Sequence, residues 1–328
     1  MPSSDPQDAG ASMKRLLAGM LLFLAPIMLA WAALEWWAAR MPTSHSVKHE
    51  NLQRLQADID TLIIGSSNAY WDIAPQLLPG SAFNLANVAQ TFYYDDQLLS
   101  RALPNLPKLH RVILTVGYLS LFFQLHDSDE DERQYYYFQE WHIPPPRFHE
   151  ELDLRMWSRV ALRTPLITVE SFADGLRRAR HGAWVPSALD PPVDERGWCP
   201  RDPGDPKDLA PSVVETKLKY HQGLMHQANL QANLSYLRHM INVLNARQIE
   251  LVLVTPPVWQ GYASRLDPRY WNQTQTAMQE LAQLPNVRYF SYLTAPQFHA
   301  EDFLDADHLN RAGAARFTGM LAHTLAAR

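Results

Sequence analysis

The chain has 328 residues, 47% of them hydrophobic and 19% charged, which suits one large or two ordinary folded domains and excludes a disordered or fibrous chain. A net charge of −5 gives no electrostatic footprint for nucleic acid. The lone cysteine, Cys199, excludes an internal disulfide and a structural zinc site, and its place in a proline-rich loop marks a bystander thiol.

Residues 1–13 are small and polar and are expected to be disordered, the first part of a tail that runs to residue 15. From Leu16 to Leu34 there are nineteen residues without a charge, enough to cross a hydrocarbon core of about 30 Å. Pro26 in the middle is tolerable in a membrane helix. Lys14 and Arg15 precede this run, and Trp31, Trp36 and Trp37 form an interfacial belt at its far end. The positive-inside rule then puts the amino terminus in the cytoplasm and everything after Arg40 outside. Residues 16–37 therefore read as an uncleaved, single-pass signal anchor in the cytoplasmic (inner) membrane. The alternatives are a buried core helix and a cleaved signal peptide, with Ala30-Trp31-Ala32 as the cleavage site. Residues 38–60 form a polar, partly helical connector.

The main domain is expected over 61–328. Thr61-Leu62-Ile63-Ile64 is a short β-type run ending in Gly65-Ser66-Ser67, as a parallel strand finishes when it must turn sharply. Residues 81–85 read as a second strand, Asp95 to Leu103 as a helix, and Arg111 to Gly117 as a third strand. A long helical stretch from Glu215 to Ala246 leads into a fourth strand at 249–255, which stops at Pro256-Pro257. Residues 270–284 are helical, 287–292 make a fifth strand, and Arg311 to Ala326 closes the chain as a helix. Continuously apolar strands alternating with helices predict an α/β fold, a three-layer α/β/α sandwich around a mostly parallel five-stranded sheet. One interruption, at about 122–211, carries an acidic run read as a solvated face, an aromatic cluster (Tyr135, Tyr136, Tyr137, Phe138, Trp141) and many prolines. Placed after the third strand, it is expected to cover the catalytic edge, with most of its aromatics packing it onto the core and one or two offering a platform for a sugar ring or acyl chain.

A serine hydroxyl needs a positioned base, and a histidine in that role needs a carboxylate to fix its tautomer. Asp305 and His308 are three apart, which on one helical turn puts both side chains on one side, close to where Ser67 leaves the first strand. Asp307, adjacent to His308, is expected to point away and to cap the last helix or bind substrate. Asn310 is expected to be a turn or capping residue. His221, His226 and His239 lack the spacing of metal ligands on one helical face, and no motif supports a metal, nucleotide or flavin cofactor.

Gly65-Ser66-Ser67 near the start, Asp305-x-x-His308 near the end and five alternating strands between them resemble the SGNH (GDSL-like) hydrolase superfamily. The likeness runs over roughly residues 60–125 and 245–328. The stretch Asn84-Leu85-Ala86-Asn87-Val88-Ala89-Gln90-Thr91 and the Asp-x-Asp-His-Leu-Asn phrasing look closer to its membrane-anchored, cell-envelope branch. That branch includes proteins similar to the teichoic-acid D-alanyl transfer protein and to alginate and capsule O-acetylation proteins. The resemblance implies Ser67 as nucleophile, His308 as base and Asp305 as orienting carboxylate. It also implies an oxyanion held by the Ser67 backbone N–H and by the N–H of Ala89, where the family has glycine. Leu119 stands where the family's asparagine would donate, so Asn87, Ser120 or another group substitutes, or the enzyme is slow towards ordinary esters. The activity implied is O-acyl transfer through an acyl-serine to an extracytoplasmic envelope polysaccharide, with a multi-spanning membrane acyltransferase as donor supplier. The alternatives are an esterase of the same polymers and a non-catalytic glycan-binding subunit of a synthesis complex.

Overall fold

The computed structural model describes residues 6–128, 130–147, 152–163 and 193–327. The described chain divides between two units, one within Thr43–Leu152 and Asp190–Arg328, the other within Met1–Pro42 and Asp153–Leu189.

The larger unit is built on five strands: β1 (Thr61–Ile64), β2 (Ala82–Asn84), β3 (Arg111–Thr115), β4 (Glu250–Thr255) and β5 (Val287–Ser291). They lie in the order β2-β1-β3-β4-β5, and every pairing is parallel. The expected three-layer α/β sandwich is the fold observed. β1 is buried along its whole length, because side chains alternate between two covered faces. Leu62, Ile64, Val112, Leu114, Leu251 and Leu253 belong to one core, and Ile63, Ile113, Val252 and Val254 to the other.

Before the sheet, α1 (Pro6–Ala38) belongs to the smaller unit and α2 (Ser44–Leu55) opens the larger one. α3 (Ser67–Asp72) follows β1, α4 (Phe92–Ala102) follows β2, and α5 (Arg133–Trp141) lies in the interruption. There Tyr137 is buried and stacks on Tyr94 at 3.9 Å between ring centroids, the packing role expected of that aromatic cluster. α6 (Leu154–Trp157) and α7 (Arg159–Arg163) belong to the unit of α1. After them come α8 (Pro211–Leu224), α9 (Leu230–Asn245), α10 (Gln260–Ala263), α11 (Pro268–Leu281) and α12 (Arg311–Ala326).

Three expectations need correction. α1 begins at Pro6, so residues 6–13 are helical; Pro is favoured at the first helical position, and extending a formed helix costs little. The stretch 215–246 is two helices. His226 N–H donates to the Phe122 carbonyl at 2.9 Å, and the Asn229 amide bonds the same carbonyl and Asp127, so tertiary bonds hold the break. Asp305 to His308 is a non-helical bend closed by a bridge between Phe303 and Leu309. Cys199 is buried. Ser12–Ala38 within α1 is long and apolar enough to cross a membrane, with a mean hydropathy of 2.2.

Candidate active site

Strand order reverses between β1 and β3, since the chain runs out to β2 on one side and to β4 and β5 on the other. In open parallel sheets the crevice at the carboxyl ends of two such strands is where ligands bind. Ser67 leaves β1 there and Gly117 leaves β3 there, and both line a cavity of about 220 Å³. Gly65 makes the turn. Its φ is +124°, and a Cβ would lie 2.3 Å from Thr115 Oγ1, so only glycine fits between β1 and β3 at that point. Its N–H donates to the buried Asp95 carboxylate at 2.8 Å. Burial pushes the Asp95 carboxyl up to about 7 against the hydrogen bonds from Gln90 and Gly65.

His308 arrives from the other end of the chain. Its Nε2 lies 2.8 Å from Ser67 Oγ, and its Nδ1 lies 3.0 and 3.1 Å from the two oxygens of Asp305. A carboxylate on Nδ1 keeps the proton on that nitrogen and leaves Nε2 free to accept from the serine. Asp305 Oδ1 also accepts from the backbone N–H groups of Asp307 and His308, so the carboxylate shapes the bend that presents the ring. Trp71 packs edge-on against the imidazole, with ring centroids 4.5 Å apart.

α3 ties this bend to the serine. Asp72 Oδ1 accepts from the Leu309 N–H at 2.8 Å, and the Asn68 side chain donates to the Asp307 carbonyl at 2.7 Å. Asn310 caps α12 by accepting from the Ala312 and Gly313 N–H groups, as expected of a capping residue.

Behind His308 stands a charged cluster that sequence reasoning missed. Lys217 Nζ lies 2.8 Å from Asp305 Oδ2 and is ion-paired with Asp307 as well. Asp307 therefore neither caps α12 nor points away: its Oδ1 is 3.5 Å from His308 Nδ1. The non-helical bend makes this approach possible, because adjacent side chains diverge only in regular helix or strand. One turn on from Lys217 along α8, His221 hydrogen-bonds the Tyr262 hydroxyl at 2.6 Å, and His221 and Tyr262 both line the cavity. The readable signal was the spacing of four between Lys217 and His221, and again between Asn68 and Asp72 just after the serine.

These charges tune the groups they touch. Burial pushes the Asp305 carboxyl up, but the charges of His308 and Lys217 outweigh it and hold it below the usual carboxylate range. Burial pulls His308 down, Asp307 and Asp305 push it up, and the net shift is upward despite Lys217. Ligand atoms of Asp305, Asp307 and His308 lie within 4.8 Å of one another, a spacing that suits a cation, and the Lys217 ammonium already bonds both carboxylates there.

The remaining candidates separate. Ala89 lines the cavity with a φ of +55°, so alanine adopts the left-handed backbone that a glycine would take and keeps its N–H. Asn87 does not line the cavity; its Oδ1 accepts from Ser44 Oγ at 2.9 Å. Ser120 lines the cavity, with its Oγ accepting from the Gly117 N–H at 2.9 Å, and Leu119 lines it too. Of the interruption, Phe123, Ser128 and Glu130 reach the cavity wall.

No protein-family model matches the chain, and neither does any curated protein. Among solved structures, one provisionally named a platelet activating factor, from Streptococcus pneumonia, is similar at 12% identity and a TM-score of 0.40, over 91% of this chain and 99% of that one. Another, provisionally named an acylhydrolase, from Bacteroides fragilis NCTC 9343, is similar at 10% identity and a TM-score of 0.40, over 85% of this chain and 94% of that one. Likeness at this level decides neither family nor activity.

Proposed function

We propose that the protein is a membrane-anchored serine O-acyltransferase that moves an acyl group through Ser67 to a hydroxyl of an extracytoplasmic envelope polysaccharide. The observation that carries this reading is the 2.8 Å approach of His308 Nε2 to Ser67 Oγ with Asp305 on Nδ1. His308 takes the Ser67 proton as Oγ attacks the donor carbonyl, and Asp305 stabilises the imidazolium that results. The developing oxyanion is met by the backbone N–H groups of Ser67 and Ala89. The imidazolium returns its proton to the leaving group, the neutral ring then deprotonates the incoming hydroxyl as it takes the acyl group, and the imidazolium so formed reprotonates the departing Ser67 Oγ.

Leu119 supplies no third donor, and one such donor is worth about 3–4 kcal/mol of transition-state stabilisation in a well-studied protease. Modest turnover of simple esters is the expected consequence. A multi-spanning acyltransferase in the same membrane would supply the donor. The charge bias of Lys14 and Arg15 supports an outward-facing reading on the cytoplasmic membrane.

The test is labelling by a serine-directed fluorophosphonate, followed by acyl transfer from an activated ester to an oligosaccharide. Wild-type protein is expected to label and Ser67→Ala not to, with turnover reduced by roughly 10⁴-fold or more. Failure of the folded wild-type protein to label would assign the domain to glycan binding without catalysis. Acyl release that ignores added acceptor would assign it to ester hydrolysis.

A further inference from the structure

Outside α1, the most exposed large apolar side chains among the described residues are Leu152, Leu154 and Trp157, at 78%, 62% and 68%. Three such side chains within six consecutive residues are unlike the scattered surface leucines of an ordinary soluble face. Leu154 and Trp157 open and close α6, which belongs to the same unit as α1.

Within that unit their position is fixed by α1 itself. α7 packs on α1, and Glu35, in the last turn of α1, caps it. Glu35 Oε2 accepts from the Arg159 N–H at 2.9 Å and Oε1 from the Val160 N–H at 3.4 Å, while Ser158 Oγ donates to Oε1. Trp157 is one residue from Ser158 and Leu154 one turn away, so both are held close to Glu35.

Glu35 also marks a depth. It is the first charge after Leu16–Leu34, and nineteen helical residues at about 1.5 Å each span roughly the 30 Å of a hydrocarbon core. The charge therefore falls at the boundary between acyl chains and headgroups. Trp31 and Trp36, 44% and 52% exposed, lie at the same end of α1, and the Arg40 guanidinium stacks over Trp36 at 3.5 Å. Tryptophan and arginine are the side chains that settle at this depth.

We propose that α6 is an interfacial membrane element, lying at the headgroup boundary of the bilayer that α1 crosses and inserting Leu154 and Trp157 into its acyl edge. The bilayer is the occupant that fits, because the exposed patch directly precedes the residues bonded to Glu35, which itself ends the exposed apolar run of α1. Arg155 lies within it and Arg159 just after it, suited to lipid phosphates, with Arg155 also paired to Asp153 at 2.7 Å. Two side chains alone are far too small for a stable protein interface, which needs on the order of 1,000 Å². The chain thereby meets the membrane twice, at α1 and again in the middle of the interruption.

The test uses the full chain in vesicles of phosphatidylethanolamine and phosphatidylglycerol, carrying a nitroxide on Leu154→Cys or Trp157→Cys. Native Cys199 is buried, so the unsubstituted chain gives the labelling background. Leu34→Cys reports whether α1 is in the bilayer, and Lys219→Cys, whose native side chain is 71% exposed, reports the water phase. Labels at 154 and 157 are expected to collide with oxygen more than with a water-soluble nickel chelate, as the label at 34 does. A water-like response at 154 and 157, with 34 still lipid-like, would overturn the proposal, as would shielding from both agents, which denotes protein contact. A water-like response at 34 would overturn it at its premise. Where Trp157→Cys disturbs α6, Leu154→Cys alone decides.

Discussion

His308 faces Asp305 and Asp307, with Lys217 bonded to both, His221 beyond them and the buried Asp72 at the foot of the bend. The two carboxylates favour the imidazolium, and Lys217 opposes them. In the proposed mechanism the neutral ring is the base, so the acid limb of kcat/KM is expected above the ordinary histidine value of 6.5. Lys217→Met removes the opposing charge and is expected to move that limb to higher pH. Asp307→Asn is expected to move it to lower pH, and the double variant to return it towards wild type. An unchanged limb in Lys217→Met, measured as kcat/KM against pH, would show that Lys217 does not act through His308. Ala89 gives a second residue-scale prediction. Ala89→Gly relieves a left-handed alanine and is expected to keep activity and gain about 1 kcal/mol of stability in denaturant titration. Ala89→Pro removes the N–H and cannot adopt φ +55°, so fluorophosphonate labelling at Ser67 is expected to fail.

α3 is the element that makes one site from two ends of the chain. It is only six residues long, yet it starts at Ser67 and ends at Asp72, whose carboxyl receives the Leu309 N–H. Burial pushes that carboxyl well above the usual range, against the charge of His308 and the hydrogen bonds from Leu309 and Asn68. Asp72→Asn keeps a carbonyl oxygen in place and is expected to retain most activity. Asp72→Ala leaves the Leu309 N–H buried and unpaired, costing about 1–3 kcal/mol and loosening the histidine bend. Melting temperature together with kcat for the two variants checks this. Equal loss in both would mean that the charge, not the hydrogen bond, matters. None of this was legible in the spacing of Asp305 and His308, which suggested a helical turn. The bend exists because Asp305 satisfies two successive backbone N–H groups and because α3 anchors Leu309 at its far end, both of which require the folded partner.

At the scale of the whole molecule, Asp95 links stability to pH. Its carboxyl titrates near 7 when folded against an ordinary value of 3.8, so between those values the folded state holds the extra proton. Stability contributed by this group is full below about 4 and lost as pH rises through 7. Asp95→Asn keeps an acceptor for the Gly65 and Gln90 donors and needs no proton. It is expected to raise the melting temperature at pH 8 more than at pH 4, as calorimetry at the two values would show. Equal shifts would place the effect elsewhere. The larger unit tolerates this buried acid because it orders the glycine turn on which Ser67 stands.

The parallel sheet, the alternation of strands and helices, the long apolar helix and the meeting of Ser67, His308 and Asp305 were all legible in the sequence, because each rests on local periodicity or on a short motif. Apolar runs must be buried on both faces, and a nineteen-residue uncharged stretch has few soluble uses. The partners of those residues were not legible. Lys217 and Asp307 meet His308, Asp72 meets Leu309, and Asn87 turns to Ser44, through distances that depend on how α3, α8 and the last bend dock. Periodicity fixes which face of an element is buried; only the packing of elements decides which side chain of one reaches which atom of another.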